Sequence, residues 1–342
     1  MSGFRRVGCS RNSVGARPAK AQVDVPKAID RLFSRMQPAT VVAAVSPDGE
    51  GNIAMSKRVL SRRSVFGTLV ALLVGLLAPW ASVEAREPIG ATALVELTGL
   101  DRALEEVATG LAGEGARIVG QGEEIGDKEQ FKAAWEQAAN EAFASAKLKE
   151  SLARRIDGKL TPAELVKIED FYKGKLGRAM VAREIAAGSV KSQQEMMAGA
   201  EKMMRALSTN PKRIVALESL SRAIRLKEVS TGIALNMMRA VMIGMAAANT
   251  DRLKMPLDVI EEQVEQHRLT ASQEMEAVTA LSMTYTYRSA SVDDIKAYEK
   301  FLRSPAGRRF NDVAMGGLDA VLSEGGLAFG NALVRFLNRT PI

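Results

Sequence analysis

The chain has 342 residues, of which 47 are basic, 40 are acidic and one is histidine, giving a formal net charge of +7 at neutral pH. The whole excess lies in residues 1–85, which hold 12 basic and 5 acidic residues, so residues 86–342 contain 35 of each. This balance gives no long-range attraction to nucleic acid, and we expect no nucleic-acid partner. Because Cys9 is the single cysteine, a disulfide within the chain is excluded.

The N-terminal part of the chain, through Ala85, combines a basic extension with a pattern typical of export. Residues 1–54 are mostly polar, and we expect a disordered extension or a start codon assigned too early. Residues 55–85 then carry basic side chains that include Arg62 and Arg63, an apolar stretch over residues 65–78 and a small-residue end. This order of regions predicts an export signal, with the export machinery as a partner.

The length of the apolar stretch favours cleavage over anchoring. A membrane-spanning helix needs about 20 apolar residues, and this stretch is shorter. We therefore predict cleavage near Ala85 and a periplasmic product, with an uncleaved inner-membrane anchor at residues 65–81 as the alternative. The residues around Arg62 and Arg63 resemble the twin-arginine pattern, but the leucine-rich run that follows favours the general secretory route.

A cluster of glycines follows in the predicted exported part. Its members are Gly110, Gly113, Gly115, Gly120, Gly122 and Gly126. A dinucleotide-binding loop would need a further glycine where Ile118 stands, and it would need a preceding strand that this helical context lacks. The cluster is therefore predicted to be a flexible connection between helices.

Two distant segments of the chain, residues 161–177 and 291–307, share one pattern. Thr161 and Ser291 are each followed three residues later by an acid, Glu164 and Asp294, which is typical of a capped helix start. Apolar residues then recur at helical spacing, and a glycine follows. The shared positions are Leu165, Ile168, Phe171, Tyr172 and Gly177 in the first segment and Ile295, Tyr298, Phe301, Leu302 and Gly307 in the second. Each segment is predicted to be a helix, a tight turn and a second helix.

The remaining sequence also favours helices, and it contains a second pair of similar stretches. Residues 106–112 resemble residues 228–234. No strand pattern competes after residue 86. The predicted fold is therefore all-α, a helical bundle of two related units that arose by internal duplication, residues 86–207 and 208–342.

The stretch over residues 160–177 resembles the DUF2059 family of bacterial domains of unknown function. Phe171, Tyr172 and Gly177 match the motif of that family, and the second segment matches it except that Leu302 stands in place of the tyrosine. The resemblance implies export and an all-helical fold. It implies no activity and no catalytic residue, because the family has no established activity.

Two residue types invite a metal-binding interpretation. The sole histidine, His267, has no second strong ligand one helical turn away, so we predict a surface or packing role and no metal site. Methionines are concentrated in two neighbouring helical segments, as Met196, Met197, Met203, Met204, Met237, Met238, Met242 and Met245. Their spacing favours core packing, with an adaptable apolar groove and Cu(I) binding as alternatives.

The sequence thus favours an exported cell-envelope protein that acts as a non-catalytic helical binding or interaction module without a cofactor. Its expected partner is an unknown protein or an apolar ligand in the envelope. The alternatives are a carboxylate-dependent envelope enzyme, such as a glycan hydrolase, and a self-associating structural protein. Two close acids with raised pKa values would favour the enzyme, whereas a groove lined by Met and Leu would favour the binder.

Overall fold

The computed structural model describes residues 87–120, 127–248 and 256–338. The predicted N-terminal extension and export signal lie outside these residues, and with them Arg62, Arg63 and Ala85. The described residues form helices and no strand, which confirms the predicted all-α class. In chain order the helices are α1 (Ala91–Leu97), α2 (Leu100–Gly120), α3 (Lys128–Ala142), α4 (Ser145–Ile156), α5 (Pro162–Lys173), α6 (Lys175–Gly188), α7 (Val190–Ala198), α8 (Ala200–Ser208), α9 (Pro211–Ala223), α10 (Leu226–Ala248), α11 (Leu257–Thr286), α12 (Val292–Leu302) and α13 (Pro305–Asn338).

Both predicted capped helix starts are present. At the start of α5, the hydroxyl of Thr161 accepts a hydrogen bond from the backbone N–H of Glu164, whose carboxylate accepts one from the N–H of Thr161 at 2.8 Å. Ser291 and Asp294 form the same reciprocal pair at the start of α12. Each pair satisfies two backbone donors that a helix start leaves without a partner.

Each capped helix ends in a tight turn that requires a glycine. A Cβ atom at Gly177 would lie 2.2 Å from the carbonyl oxygen of Phe171, and a Cβ atom at Gly307 would lie 2.1 Å from that of Phe301. Because a carbon atom cannot approach a carbonyl oxygen so closely, only glycine lets the next helix start against the end of the previous one. The predicted sequence of helix, turn and helix is therefore confirmed in both segments.

The glycine cluster differs from its prediction. Its first four members, through Gly120, lie within α2, so the prediction of a flexible connection was wrong for them, while Gly122 and Gly126 lie outside the described residues. Tertiary packing explains the helix: a Cβ atom at Gly115 would lie 2.6 Å from Cγ of Trp135, so glycine lets α3 approach α2. The indole N–H of Trp135 also donates to the carbonyl of Leu111 at 2.7 Å. Such packing outweighs the weak helix propensity of glycine.

Two clusters of buried apolar side chains share one pair of aromatic rings. The larger cluster is built mainly from α1 to α5, α10, α13 and the start of α11, and the smaller from α6, α9, α12 and the end of α11. Phe171 and Phe301 pack against both clusters, and their parallel rings have centroids 3.7 Å apart. The corresponding residues of the two segments thus meet where the two cores join.

The apolar helix α10 packs closely against α13. A Cβ atom at Gly244 would lie 2.1 Å from a carbonyl oxygen of α13, and one at Gly330 would lie 2.1 Å from a carbonyl oxygen of α10. Asn236 on α10 donates to both carboxylate oxygens of Asp319 on α13, each at 3.0 Å. Among the described helices α10 alone is long and apolar enough to cross a membrane, but this close, polar-paired packing is typical of a central helix in a bundle.

Candidate functional site

An open cavity of about 1440 Å³ lies between helices of the first predicted unit and helices of the second. Its lining residues come from α2, α5, α6 and α7 of the first predicted unit and from α10, α11, α12 and the start of α13 of the second. Most of the wall is apolar, and it includes Met196, Met197, Met237, Met283 and Met315. Methionine side chains are flexible and polarisable, so this wall can adapt to apolar ligands of different shapes.

One carboxyl group in the wall, that of Glu184 on α6, lies beside three tyrosines. The hydroxyl of Tyr287 donates a hydrogen bond to Oε1 of Glu184 at 2.6 Å. Tyr172 and Tyr298 complete the group, which we call the tyrosine–carboxyl cluster, and all three tyrosines are buried. A fourth tyrosine, Tyr285, lines the same cavity but donates to a different carboxylate.

The environment shifts the pKa values of this cluster. Burial raises the pKa of the Glu184 carboxyl, and hydrogen bonds from Tyr287 and Tyr298 partly offset that rise. Burial also raises the pKa of all three tyrosines, with the charge of Glu184 adding to the effect. The tyrosines are therefore neutral hydroxyl groups at physiological pH, while Glu184 holds its proton more firmly than an exposed glutamate does.

Two members of the cluster, Tyr172 and Glu184, have apolar counterparts in the second related region. In the alignment that pairs Thr161 with Ser291, Glu184 corresponds to Ala314 and Tyr172 corresponds to Leu302. Both counterparts are apolar and buried. Since the second segment forms the same capped helix and tight turn with Leu302 and Ala314 at these positions, that backbone arrangement does not require Tyr172 or Glu184.

The ten shared positions of the two segments come together in the structure, mainly as core. Those that are buried are Ile168, Tyr172, Gly177, Ile295, Tyr298, Leu302 and Gly307, and those that are half-buried are Leu165, Phe171 and Phe301. Three of them, Tyr172, Tyr298 and Leu302, also line the cavity. The repeated pattern therefore supplies part of the cavity wall besides holding the helices together.

The methionines occupy both buried and exposed positions, and the histidine is half-buried. Met242 and Met245 are buried in the core, whereas Met197 and Met204 are each 40% exposed, so core packing explains only part of the methionine content. His267 is half-buried, with Nδ1 2.8 Å from the carbonyl oxygen of Gln263. Within the described ranges, no group of three or more His, Cys, Asp or Glu residues is arranged to hold a metal ion.

Glu184 and Tyr287 are far apart in the chain, and no local sequence pattern pairs them. One signal was present in α6, because Glu184 shares a helix face with Met180, Val181 and Ala187. An acid on an otherwise apolar face indicates either a buried carboxyl or a cavity. The partners of that acid follow only from the tertiary fold.

Comparison with known proteins finds a similarity for one part of the chain. The search of curated proteins gives no match, and the search of solved structures gives none. One family model, described as "Uncharacterized protein conserved in bacteria (DUF2059)", matches residues 146–209. The matched range runs from α4 to α8 and includes both Tyr172 and Glu184. Residues 146–209 of the chain are therefore similar to this bacterial DUF2059 family.

Proposed function

We propose that this protein is an exported, non-catalytic binding protein of the cell envelope that holds an apolar small molecule in its cavity. The observation that carries the proposal is the cavity lining, which is mainly apolar and rich in methionine and contains few charged side chains. Small-molecule sites commonly combine an apolar wall with a few polar groups that fix the orientation of the ligand.

The lining supports binding better than carboxylate catalysis. Two acids occur among the described lining residues, Glu184 and Glu114. Glu114 forms an ion pair with Arg117 one helical turn away on α2. Burial raises the pKa of the Glu184 carboxyl. Glycan hydrolysis normally requires two carboxyl groups that work together across one bond, so the observations favour the binder. The self-associating structural protein stays a prediction that the dependence of the molecular mass on concentration would test.

The proposal includes an internal duplication, with units at residues 86–207 and 208–342. The helix ends support it. When Pro162 at the start of α5 is aligned with Val292 at the start of α12, the start of α6 aligns with that of α13, and the end of α8 aligns with the end of α13. A binding cavity between two such units is a common arrangement, because concave surfaces form where separate structural units meet.

Export through residues 55–85 is tested by expressing the full-length chain in a bacterial host with two membranes. We expect the product in the periplasmic fraction, with Arg86 as the new N-terminus. A chain that stays in the cytosol and still begins at Met1 would contradict export and leave the cavity to be tested separately.

Binding is tested with Nile red, a fluorescent apolar probe, and a matched pair of variants of the full-length chain. Ala187 lines the cavity on α6, whereas its neighbour Ala186 is exposed and does not line it. We expect Ala187→Phe to fill part of the cavity and to weaken Nile red binding at least about tenfold. Ala186→Phe places the same ring on the outer face and is expected to leave the affinity unchanged. Equal affinity in both variants, or no binding by the unmodified chain, would contradict the proposal.

A further inference from the structure

We propose that the ligand of this cavity is an amphiphilic amine, whose ammonium group binds beside Glu184 while its apolar body lies against the methionines. The inference rests on the proposed function, because it names the chemical class of the molecule that occupies the same cavity. It is carried by the position of the Glu184 carboxyl group in a mainly apolar wall, where no basic side chain of the described part of the chain forms an ion pair with it.

The charges around Glu184 leave a place for a cation. Among the described lining residues the one basic side chain is Arg117, which is already paired with Glu114. Arg183 is next to Glu184 in the chain, but it donates to Ser289 at 3.2 Å and to a backbone carbonyl of α6 at 2.9 Å. No basic side chain in the described ranges forms an ion pair with Glu184. A carboxylate in an apolar wall gains most from a partner that supplies positive charge, and the ligand can supply it.

The tyrosines around Glu184 favour the same kind of head group. Neutral hydroxyl oxygens of Tyr172, Tyr287 and Tyr298 can accept hydrogen bonds from an ammonium group. An anionic head group would be placed beside a carboxyl group with no free cation to stabilise it. The local charges therefore select against fatty acids and for amines.

Apolar side chains of the cavity wall provide a surface for the apolar body of the ligand. Met237 on α10, Met283 on α11 and Met315 on α13 line the cavity together with Val190 and Ile233. These side chains offer no charge and no fixed hydrogen-bond geometry, so they define a hydrophobic body and leave its exact shape open. Orientation of the ligand then depends on the one carboxyl group.

The inference is tested by displacement of Nile red from the full-length chain at neutral pH. Three ligands share one alkyl chain: dodecylammonium, dodecanol and dodecanoate, each used below its micelle concentration. We expect dodecylammonium to bind at least about tenfold more tightly than dodecanol, and dodecanoate to bind most weakly, because a close charge pair adds affinity and a like charge removes it. Glu184→Gln is expected to abolish the preference for the amine. The matched control Glu114→Gln removes the other lining acid and is expected to keep that preference.

The outcomes separate the inference from the proposed function. If dodecanol displaces Nile red and dodecylammonium binds no better, the amine inference is wrong while apolar binding stands. If Glu184→Gln keeps the preference for the amine, the assignment of Glu184 is wrong. If Nile red itself does not bind the unmodified chain, the proposed function fails, and the amine inference fails with it.

Discussion

The turn between α5 and α6 and the turn between α12 and α13 share a backbone arrangement but differ in the side chains around them. Both follow a capped helix, and both place a glycine against the carbonyl oxygen of the preceding phenylalanine, Phe171 or Phe301. The first turn is flanked by Tyr172 and Glu184, whereas the corresponding positions of the second are Leu302 and Ala314.

This difference separates what the fold requires from what the cavity adds. Features present in both segments, the caps, the glycines and the paired phenylalanines, determine how the helices pack. Features present in the first segment alone, the tyrosine and the carboxyl group, face the cavity. Substitutions in the shared set should therefore change stability in both segments alike, and substitutions in the unshared set should change ionisation and ligand binding.

The largest effect is expected from the two turn glycines. Gly177→Ala and Gly307→Ala would each bring a Cβ atom to about 2 Å from a backbone carbonyl oxygen that cannot move without shifting a helix. Each is expected to lower the free energy of unfolding by about 3 kcal/mol, measured by urea denaturation of the full-length chain. The control is Gly316→Ala in α13, where the new Cβ meets no atom within 4 Å. That change should raise stability by about 0.5 to 1 kcal/mol. A small effect at only one of the two turn glycines would contradict the equivalence of the turns.

A smaller effect is expected from the stacked rings that join the segments. In a double-mutant cycle, Phe171→Leu and Phe301→Leu should show a coupling energy of about 1 kcal/mol, because each change removes the same ring contact. The control cycle combines Phe171→Leu with Phe131→Leu, whose ring instead packs near Trp135. In that control cycle, the effects of the two substitutions on the free energy of unfolding should be additive. Additive effects in both cycles would show that the stacked pair makes no specific contribution.

The carboxyl group of the first segment should change how stability depends on pH. Because burial raises the pKa of Glu184 above its unfolded value of 4.5, the folded state binds the proton more tightly than the unfolded state does. This contribution to stability is fully present below pH 4.5 and is lost as the pH rises through the folded pKa. The groups that face Glu184 are Tyr172, Tyr287 and Tyr298, which are neutral in this range.

The variant Glu184→Gln cannot ionise, so its free energy of unfolding should exceed that of the unmodified chain at neutral pH. The advantage should disappear below pH 4.5. Urea denaturation of the unmodified chain and of the variant at several pH values measures this difference in the free energy of unfolding. Glu114→Gln, which removes an acid already paired with Arg117, should produce no such pattern. An equal pH dependence for the unmodified chain and Glu184→Gln would show that the pKa of Glu184 is not raised in the folded state.

The smallest effect is expected from a single hydroxyl group. The hydrogen bond from Tyr287 lowers the pKa of Glu184, so Tyr287→Phe should raise that pKa further. Carbon-13 NMR titration of the glutamate side chains measures the change directly. Tyr285→Phe serves as control because that hydroxyl donates to Glu195 instead. A shift of equal size in the control would rule out a specific role for Tyr287.

Local sequence rules predicted the shared features well because those features depend on neighbours in the chain. The caps at Thr161 and Ser291 require only a hydroxyl residue and an acid three positions later. The glycines at 177 and 307 could be recognised as a recurring pair, although their close approach to a carbonyl oxygen required the structure. Helical periodicity was likewise sufficient for the all-α class.

The cavity and the glycine cluster could not be predicted in the same way, because both depend on contacts between distant residues. Gly115 lies in a helix because Trp135 on another helix packs against it. The pKa of Glu184 is raised by burial and partly lowered again by hydrogen bonds from Tyr287 and Tyr298, which lie far along the chain in the second predicted unit. The methionines indicated an apolar groove only as one alternative to core packing, and the structure places some in each environment.

The central claim, that the cavity holds an apolar small molecule, is tested most directly by non-denaturing mass spectrometry of the full-length chain recovered from bacterial cells that make it. The predicted result is one bound molecule per chain for the unmodified protein and for Ala186→Phe, and loss of that molecule in Ala187→Phe. The same bound mass in Ala187→Phe, or no bound molecule in any of the three, would contradict the claim.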